Sequence, residues 1–250
     1  MNEQAILQSA GPAITECYEF ANSAEADATY FVLAWFAITE SAALGIFPLL
    51  SALNQAHETD PAYFPQFFQE GFQHFRDEQR HANMWCRALL DFTVIYPDVV
   101  KRTRLPQGYL KLMLSRISQP HNVLNFGVDC LAFELVMQAL YDVITPRLHY
   151  PPLVPIFQKI VRDEIDHTAF DRHYVGNLTI KLSVFKNFLV GLRFWRNTVG
   201  VLITVGPLLD WLDHWQPLPR RDFYQSLAHY QREAGIFGGD IGPNLLARMK

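Results

Sequence analysis

His74-Phe75-Arg76-Asp77-Glu78-Gln79-Arg80-His81 is the stretch on which the reading of this chain turns. Within it, Glu78-x-x-His81 sets a carboxylate and an imidazole three residues apart. On an α-helix these two side chains share one face, a single turn apart, and one metal ion can be held by both. Alone the motif says little. With 11 Glu and 9 His in 250 residues, chance supplies roughly 0.4 such matches. Its weight comes from the rest of the chain.

The motif recurs as Glu164-x-x-His167, within Arg162-Asp163-Glu164-Ile165-Asp166-His167. Each copy is preceded by an apolar helical stretch that carries one glutamate. Glu40 is the single charge in the 20 residues from Phe31 to Leu50, and Glu134 stands within Cys130-Leu131-Ala132-Phe133-Glu134-Leu135-Val136-Met137. An ionised carboxylate buried without a partner costs several kcal/mol. Two divalent cations would offset four such charges. Two helices giving Glu and two giving Glu-x-x-His, all pointing inward, form the arrangement of a di-iron carboxylate bundle. Carboxylate oxygens with imidazole suit iron or manganese better than soft metals.

The bulk of the sequence fits a single domain of 250 residues with ample core: half of it is hydrophobic and 18% charged. No Lys/Arg block exists, and the net charge is −4, which argues against nucleic acid as a partner. Cys17, Cys86 and Cys130 are scattered without Cys-x-x-Cys spacing, as expected of a reducing, cytoplasmic compartment. The first residues lack the basic and apolar regions of a signal peptide. Phe31 to Leu50 and Asn197 to Leu209 are apolar enough to resemble membrane spans. A carboxylate at mid-bilayer is costly, so a buried bundle helix explains the first better.

Strand signals are weak, and the chain reads as all-α. The expected elements are one or two short helices within residues 1 to 22 and a helix from Ser23 to about Leu53. A second helix follows from about Pro65 to Phe92, then a loop with a short helix near Gly108 to Ile117. Further helices span about Pro120 to Pro146 and Leu153 to Val175. A long segment from Leu182 to Trp215 is expected to kink or split at Gly206-Pro207, and a last helix covers about Arg220 to Ala234. The core bundle would thus cover about residues 23–176, with a C-terminal helical extension over 177–250.

The ligand pattern resembles that of the ferritin-like non-haem di-iron carboxylate proteins. Asp77-Glu78-Gln79-Arg80-His81 is similar to the Asp-Glu-x-Arg-His form of di-iron oxygenases and desaturases; the second copy has Asp166 where Arg is common. The resemblance implies a ferritin-like four-helix bundle with extra N- and C-terminal helices. Glu78 and Glu164 would bridge two Fe ions, Glu40 and Glu134 would be terminal ligands, and His81 and His167 would take one iron each. Arylamine N-oxygenases of this family carry a third histidine four residues before the second paired motif. That position is Ile160 here, and His74 stands at the mirror-image place before the first, an additional candidate ligand.

Asp77 and Asp163 lie four residues before His81 and His167, placed to accept the far N–H of a ligating imidazole. Phe36, Leu44 and Phe47 share the face of Glu40; Trp85 follows His81 by one turn; Cys130, Gln138 and Tyr141 flank Glu134. Periodicity makes these the candidate lining of an apolar pocket for a small organic substrate. The expected activity is O2-dependent oxidation of that substrate by hydroxylation, N-oxygenation or desaturation. Electrons would come from an external ferredoxin or reductase, since Gly238-Gly239-Asp240-Ile241-Gly242 has no preceding strand to make a nucleotide site. The alternatives are a ferritin-like iron-binding ferroxidase and a Mn/Fe oxidase of the ribonucleotide-reductase small-subunit type. Lys181, Lys186, Arg193 and Arg196 among aromatics leave an acidic carrier protein or a membrane surface open as a partner, and the C-terminal extension leaves a homodimer open.

Overall fold

Helix α1, Ser23–Ala42, begins with a cap made by the side chains of Asn22 and Glu25. Asn22 Oδ1 accepts the Glu25 N–H at 2.9 Å, and Glu25 Oε2 accepts the Ala21 N–H at 2.7 Å. This cap ties down amides that have no partner within the helix. Beyond it, Ala28, Val32, Leu33, Ala34 and Phe36 are all fully buried. A helix apolar on every side needs neighbours on every side. In the computed structural model, which describes residues 13–42, 64–103, 123–147, 149–180, 182–213 and 220–234, six further helices supply them.

These are α2 (Phe64–Ile95), α3 (Pro97–Arg102), α4 (Val123–Ile144), α5 (Val154–Ile180), α6 (Val184–Asp213) and α7 (Arg220–Ala234). Two 3-10 turns, Thr145–Arg147 and Pro151–Leu153, join α4 to α5. No strand occurs among the described residues, which are mostly helical, as expected of an all-α protein. Helix α1 packs on α2, α4 packs on α5, and α2 and α5 join the two pairs. Helices α6 and α7 lie against α4. Arg193 locks α6 in place with two bonds to the Asp129 carboxylate of α4, at 2.9 and 2.7 Å.

Several sequence expectations change. Residues 13–22 form no helix. Their backbone is satisfied instead by side chains of α2 and the residue after it: the Ile14 N–H donates to Asp91 at 2.9 Å, and the Tyr96 hydroxyl both accepts from the Tyr18 N–H and donates to the Tyr18 carbonyl. Helix α3 occupies a stretch read as loop; Pro97 at its first turn supplies a fixed φ where no N–H is needed. Helix α6 is not split at Gly206-Pro207. Its neighbours Val205, Leu208, Leu209 and Leu212 are buried, and that packing outweighs the hydrogen bond a proline removes. The short helix expected near Gly108 to Ile117 lies outside the described residues.

Of the two apolar stretches, Phe31 to Leu50 is described as far as Ala42, where α1 is interior. Asn197 to Leu209 falls within α6. By length and composition alone, Phe185–Asp210 of α6 could cross a membrane, with 35% of its apolar window buried against the protein. Phe194 faces the core, whereas Phe185 and Phe188 are exposed.

Candidate metal centre

Helical periodicity brings four helices' acidic and imidazole groups to one place. The ligand atoms of Glu40 (α1), Glu78 and His81 (α2) and Glu164 (α5) all lie within 4.8 Å of one another. Those of His74 and Glu78 (α2), Glu134 (α4) and His167 (α5) do the same. Glu78 belongs to both groups. All these residues are buried except His74, which is half-buried. His74 thus joins the second group: its Nε2 is 3.5 Å from Glu78 Oε1 and 3.9 Å from Glu134 Oε1, and its ring stacks on that of His167 at 3.8 Å.

The two imidazoles of the paired motifs are presented alike. His81 Nδ1 faces the carboxylates, 3.4 Å from Glu164 Oε1, while its Nε2 meets Asp163 Oδ2 at 3.1 Å. His167 Nδ1 lies 2.9 Å from Glu78 Oε1 and 3.4 Å from Glu164 Oε2, with Nε2 turned to Asp77 Oδ2 at 3.7 Å. Asp163 therefore holds the far side of the His81 ring and aims Nδ1 inward, while Asp77 stands on the far side of the His167 ring, beyond hydrogen-bond distance. Both aspartates are held in turn. Arg80 Nη2 reaches Asp77 at 2.6 Å and Asp163 at 2.7 Å, tying α2 to α5. Gln73 donates to Asp77 and Lys159 to Asp163, each from one turn earlier on the same helix.

The residues fit a pair of divalent cations. Glu78 Oε1, Glu164 Oε2, His81 Nδ1 and His167 Nδ1 are buried, and among the described residues none has a hydrogen-bond partner of proper geometry. The 2.9 Å approach of His167 Nδ1 to Glu78 is close but misaligned. Buried polar atoms are normally satisfied. Cations between these four atoms would satisfy all of them, and four carboxylates balance two divalent charges.

The titration behaviour of the bare side chains points the same way. Burial, with the neighbouring glutamates, pushes Glu40 and Glu134 well above the usual carboxylate range. Burial opposes ionisation of Glu78 too, but the His167 and His74 rings hold it well below that range. Burial disfavours the charged imidazole of His81, yet Asp163 and Glu164 outweigh it and raise the ring to about 10. His167 is raised further, against the same burial, by Asp77, Glu164 and Glu78. Without metal the cluster therefore gathers protons as its positive charge.

The residues expected to line a pocket are placed variously. Phe36 stacks between Trp85 (4.8 Å) and Tyr141 (5.1 Å), with Phe157 edge-on at 5.3 Å. This is solid core beside the carboxylates. The Tyr141 hydroxyl donates to Glu40 Oε1 at 3.0 Å. Gln138 donates to the Glu164 carbonyl at 2.9 Å and to Thr168 Oγ1, fixing the backbone that presents Glu164. Cys130 is partly buried, its thiol pushed well up by burial. Leu44 and Phe47 lie outside the described residues. A cavity of about 670 Å³ opens on the imidazole side, lined by Gln73, His74, Asp77, Arg80, Asp163 and His167 among others. Most of the side chains around it are polar or charged.

Sequence reading missed Asp171 of α5, which is buried and whose Oδ2 has no hydrogen-bond partner among the described residues. No motif marks it. Its spacing of four from His167 was the available signal. The chain matches no family model, no curated protein and no solved structure.

Proposed function

We infer that this chain is a ferritin-like four-helix protein that holds two iron ions and uses O2 to oxidise a small organic molecule, by hydroxylation, N-oxygenation or desaturation. The observation that carries this reading is the sharing of Glu78 by two ligand groups, which fits two adjacent ions better than two separate ones. A pair of ferrous ions, when bound, supplies electrons for the reduction of O2. Electrons for repeated turnover would come from an external ferredoxin or reductase. A mixed Mn/Fe pair suits the same donor set.

The chain's own residues have distinct tasks in this reading. Glu40, Glu78, Glu134 and Glu164 supply the negative charge; His81, His167 and His74 supply nitrogen. Asp163 fixes which nitrogen of the His81 ring faces inward, and Asp77 stands on the far side of the His167 ring. The Tyr141 hydroxyl is a proton donor held on Glu40. The packed wall of Phe36, Trp85 and Phe157 keeps bulk water from that side. The test is Glu164→Ala with the helical circular-dichroism spectrum retained. Iron content should fall below the wild type's two ions per chain, and O2 uptake in the presence of a chemical reductant should be lost. Unchanged O2 uptake by metal-free protein would sink the reading.

The polar cavity favours a second reading, a ferroxidase or iron-binding protein, because carboxylates and imidazoles suit the passage of a cation better than of an apolar substrate. Light scattering separates the two. A hollow many-subunit shell supports storage, and a monomer or dimer supports the oxidase.

A further inference from the structure

Helices α2 and α5 run antiparallel past the candidate centre, and their register is fixed by two contacts. His81 faces Asp163, and Asp77 faces His167. Four residues back along α2 therefore correspond to four residues forward along α5. A further three steps back from Asp77 reach His74, and three steps forward from His167 reach Phe170, with Asp171 next. The His74 ring does meet the Phe170 ring edge-on, at 5.9 Å. His74 thus stands opposite the one turn of α5 that carries Asp171, a side chain 3% exposed whose Oδ2 has no hydrogen-bond partner among the described residues.

The internal duplication supplies a control. His74 lies four residues before Glu78; the position four before Glu164 is Ile160. Asp171 lies four residues after His167; the position four after His81 is Trp85. By the same register Ile160 falls opposite Met84, with Trp85 next, and Ile160 and Trp85 are both fully buried in the core. Where the imidazole is replaced by an aliphatic side chain, the carboxylate across from it is replaced by an aromatic one. The polar pair and the apolar pair sit at equivalent places at the two ends of the site.

We propose that Asp171 is the carboxylate that orients His74 as a seventh ligand, so that one metal position carries two imidazoles and the other carries one. This rests on the two-metal reading above. Asp171 would do for His74 what Asp163 does for His81: accept the N–H of the nitrogen that faces away from the ion. It is a positioning residue and touches no metal. The consequence is chemical inequivalence. The His74–His167–Glu134 position is richer in nitrogen than the Glu40–His81 position, and the two share Glu78.

Titration of the metal-free, full-length chain with Co(II), followed by visible absorption and calorimetry, tests this without reference to turnover. Wild type should bind two ions with separable affinities. Asp171→Ala should weaken one of them by about 10- to 100-fold and leave the other unchanged. Asp171→Asn, which keeps the shape and an acceptor, should lose less. His74→Ala should weaken the same position, and adding Asp171→Ala to it should cost nothing more. Metal-free Asp171→Asn should melt no earlier than wild type, since the amide oxygen keeps an acceptor for the His74 N–H and a buried charge is removed. The proposal is overturned if both affinities survive Asp171→Ala within twofold. It is equally overturned if the loss is as large in the His74→Ala background, or if Asp171→Asn prevents folding. Wild type binding fewer than two Co(II) ions would defeat the two-metal reading itself, a result distinct from any of these.

Discussion

The α1–α2 half and the α4–α5 half present the same set: a lone glutamate, an Asp-Glu pair, and a histidine three residues beyond that Glu. They differ in what surrounds it. The first half adds His74 and Arg80, where the second has Ile160 and Asp166. The second adds Gln138, Tyr141 and Asp171, where the first has Leu44, Phe47 and Trp85. Each half thus lends the other what it lacks. Arg80 serves both aspartates, Tyr141 serves Glu40, and α5 carries the carboxylate opposite His74. The lesson is that a duplicated set of candidate ligands need not make two equal sites. The common residues are those an ion needs, and the differing ones decide how the two sites differ.

The largest test of this comparison is Glu78→Ala against Glu40→Ala. Because Glu78 stands in both groups, its loss should empty both positions, whereas loss of Glu40 should leave one ion per chain by elemental analysis. One ion retained in Glu78→Ala would show that the two halves bind independently. Next is Arg80→Ala, which strips a shared cation from Asp77 and Asp163. It should lower the stability of the metal-free protein by about 2 kcal/mol in urea titrations. An effect on only one of the two histidine resonances would break the idea of a shared tie.

The smallest effect concerns pH. The His81 ring is raised to about 10 in the metal-free fold. Its contribution to stability is therefore full below about pH 6.5 and is lost as pH rises toward 10. His167, raised further, should fade later. Asp163 is held below its usual range by His81, Lys159 and Arg80 despite burial, so its contribution is present above about pH 4 and lost on acidification. Metal-free protein should then be most stable between those limits and soften on the alkaline side. Ion uptake should release the imidazole protons, so affinity should rise with pH; a flat affinity from pH 6 to 9 would contradict this.

The pairing of Glu78 with His81 and of Glu164 with His167 was legible in the sequence because a three-residue spacing puts two side chains on one helix face. Glu40 and Glu134 were drawn to the same place by their apolar helices and by the bundle arrangement. The all-α class followed from the same periodicity. Other features needed the packing of one helix against another. Nothing local distinguishes Phe36 and Trp85 as core from Phe36 and Trp85 as cavity wall; the distinction lies in whether Tyr141 and Phe157 fill the space between them. Asp171 becomes meaningful only once the antiparallel register sets it across from His74. Pro207 reads as a break until its neighbours are seen to be buried. The path of residues 13–22 depended on side chains far along the chain.

That last feature bears on the order of assembly. The Ile14 and Tyr18 amides find partners 77 and 78 positions away, and Phe20 enters a ring cluster with Phe92, Tyr96 and Tyr150. None of these contacts can form before α2 is complete and the α4–α5 connection has delivered Tyr150. Closing so wide a loop costs entropy that local helix formation does not. Residues 13–22 are thus expected to dock late, on a helical frame already formed. In hydrogen exchange the Ile14 and Tyr18 amides should open at lower free energy than those of α1.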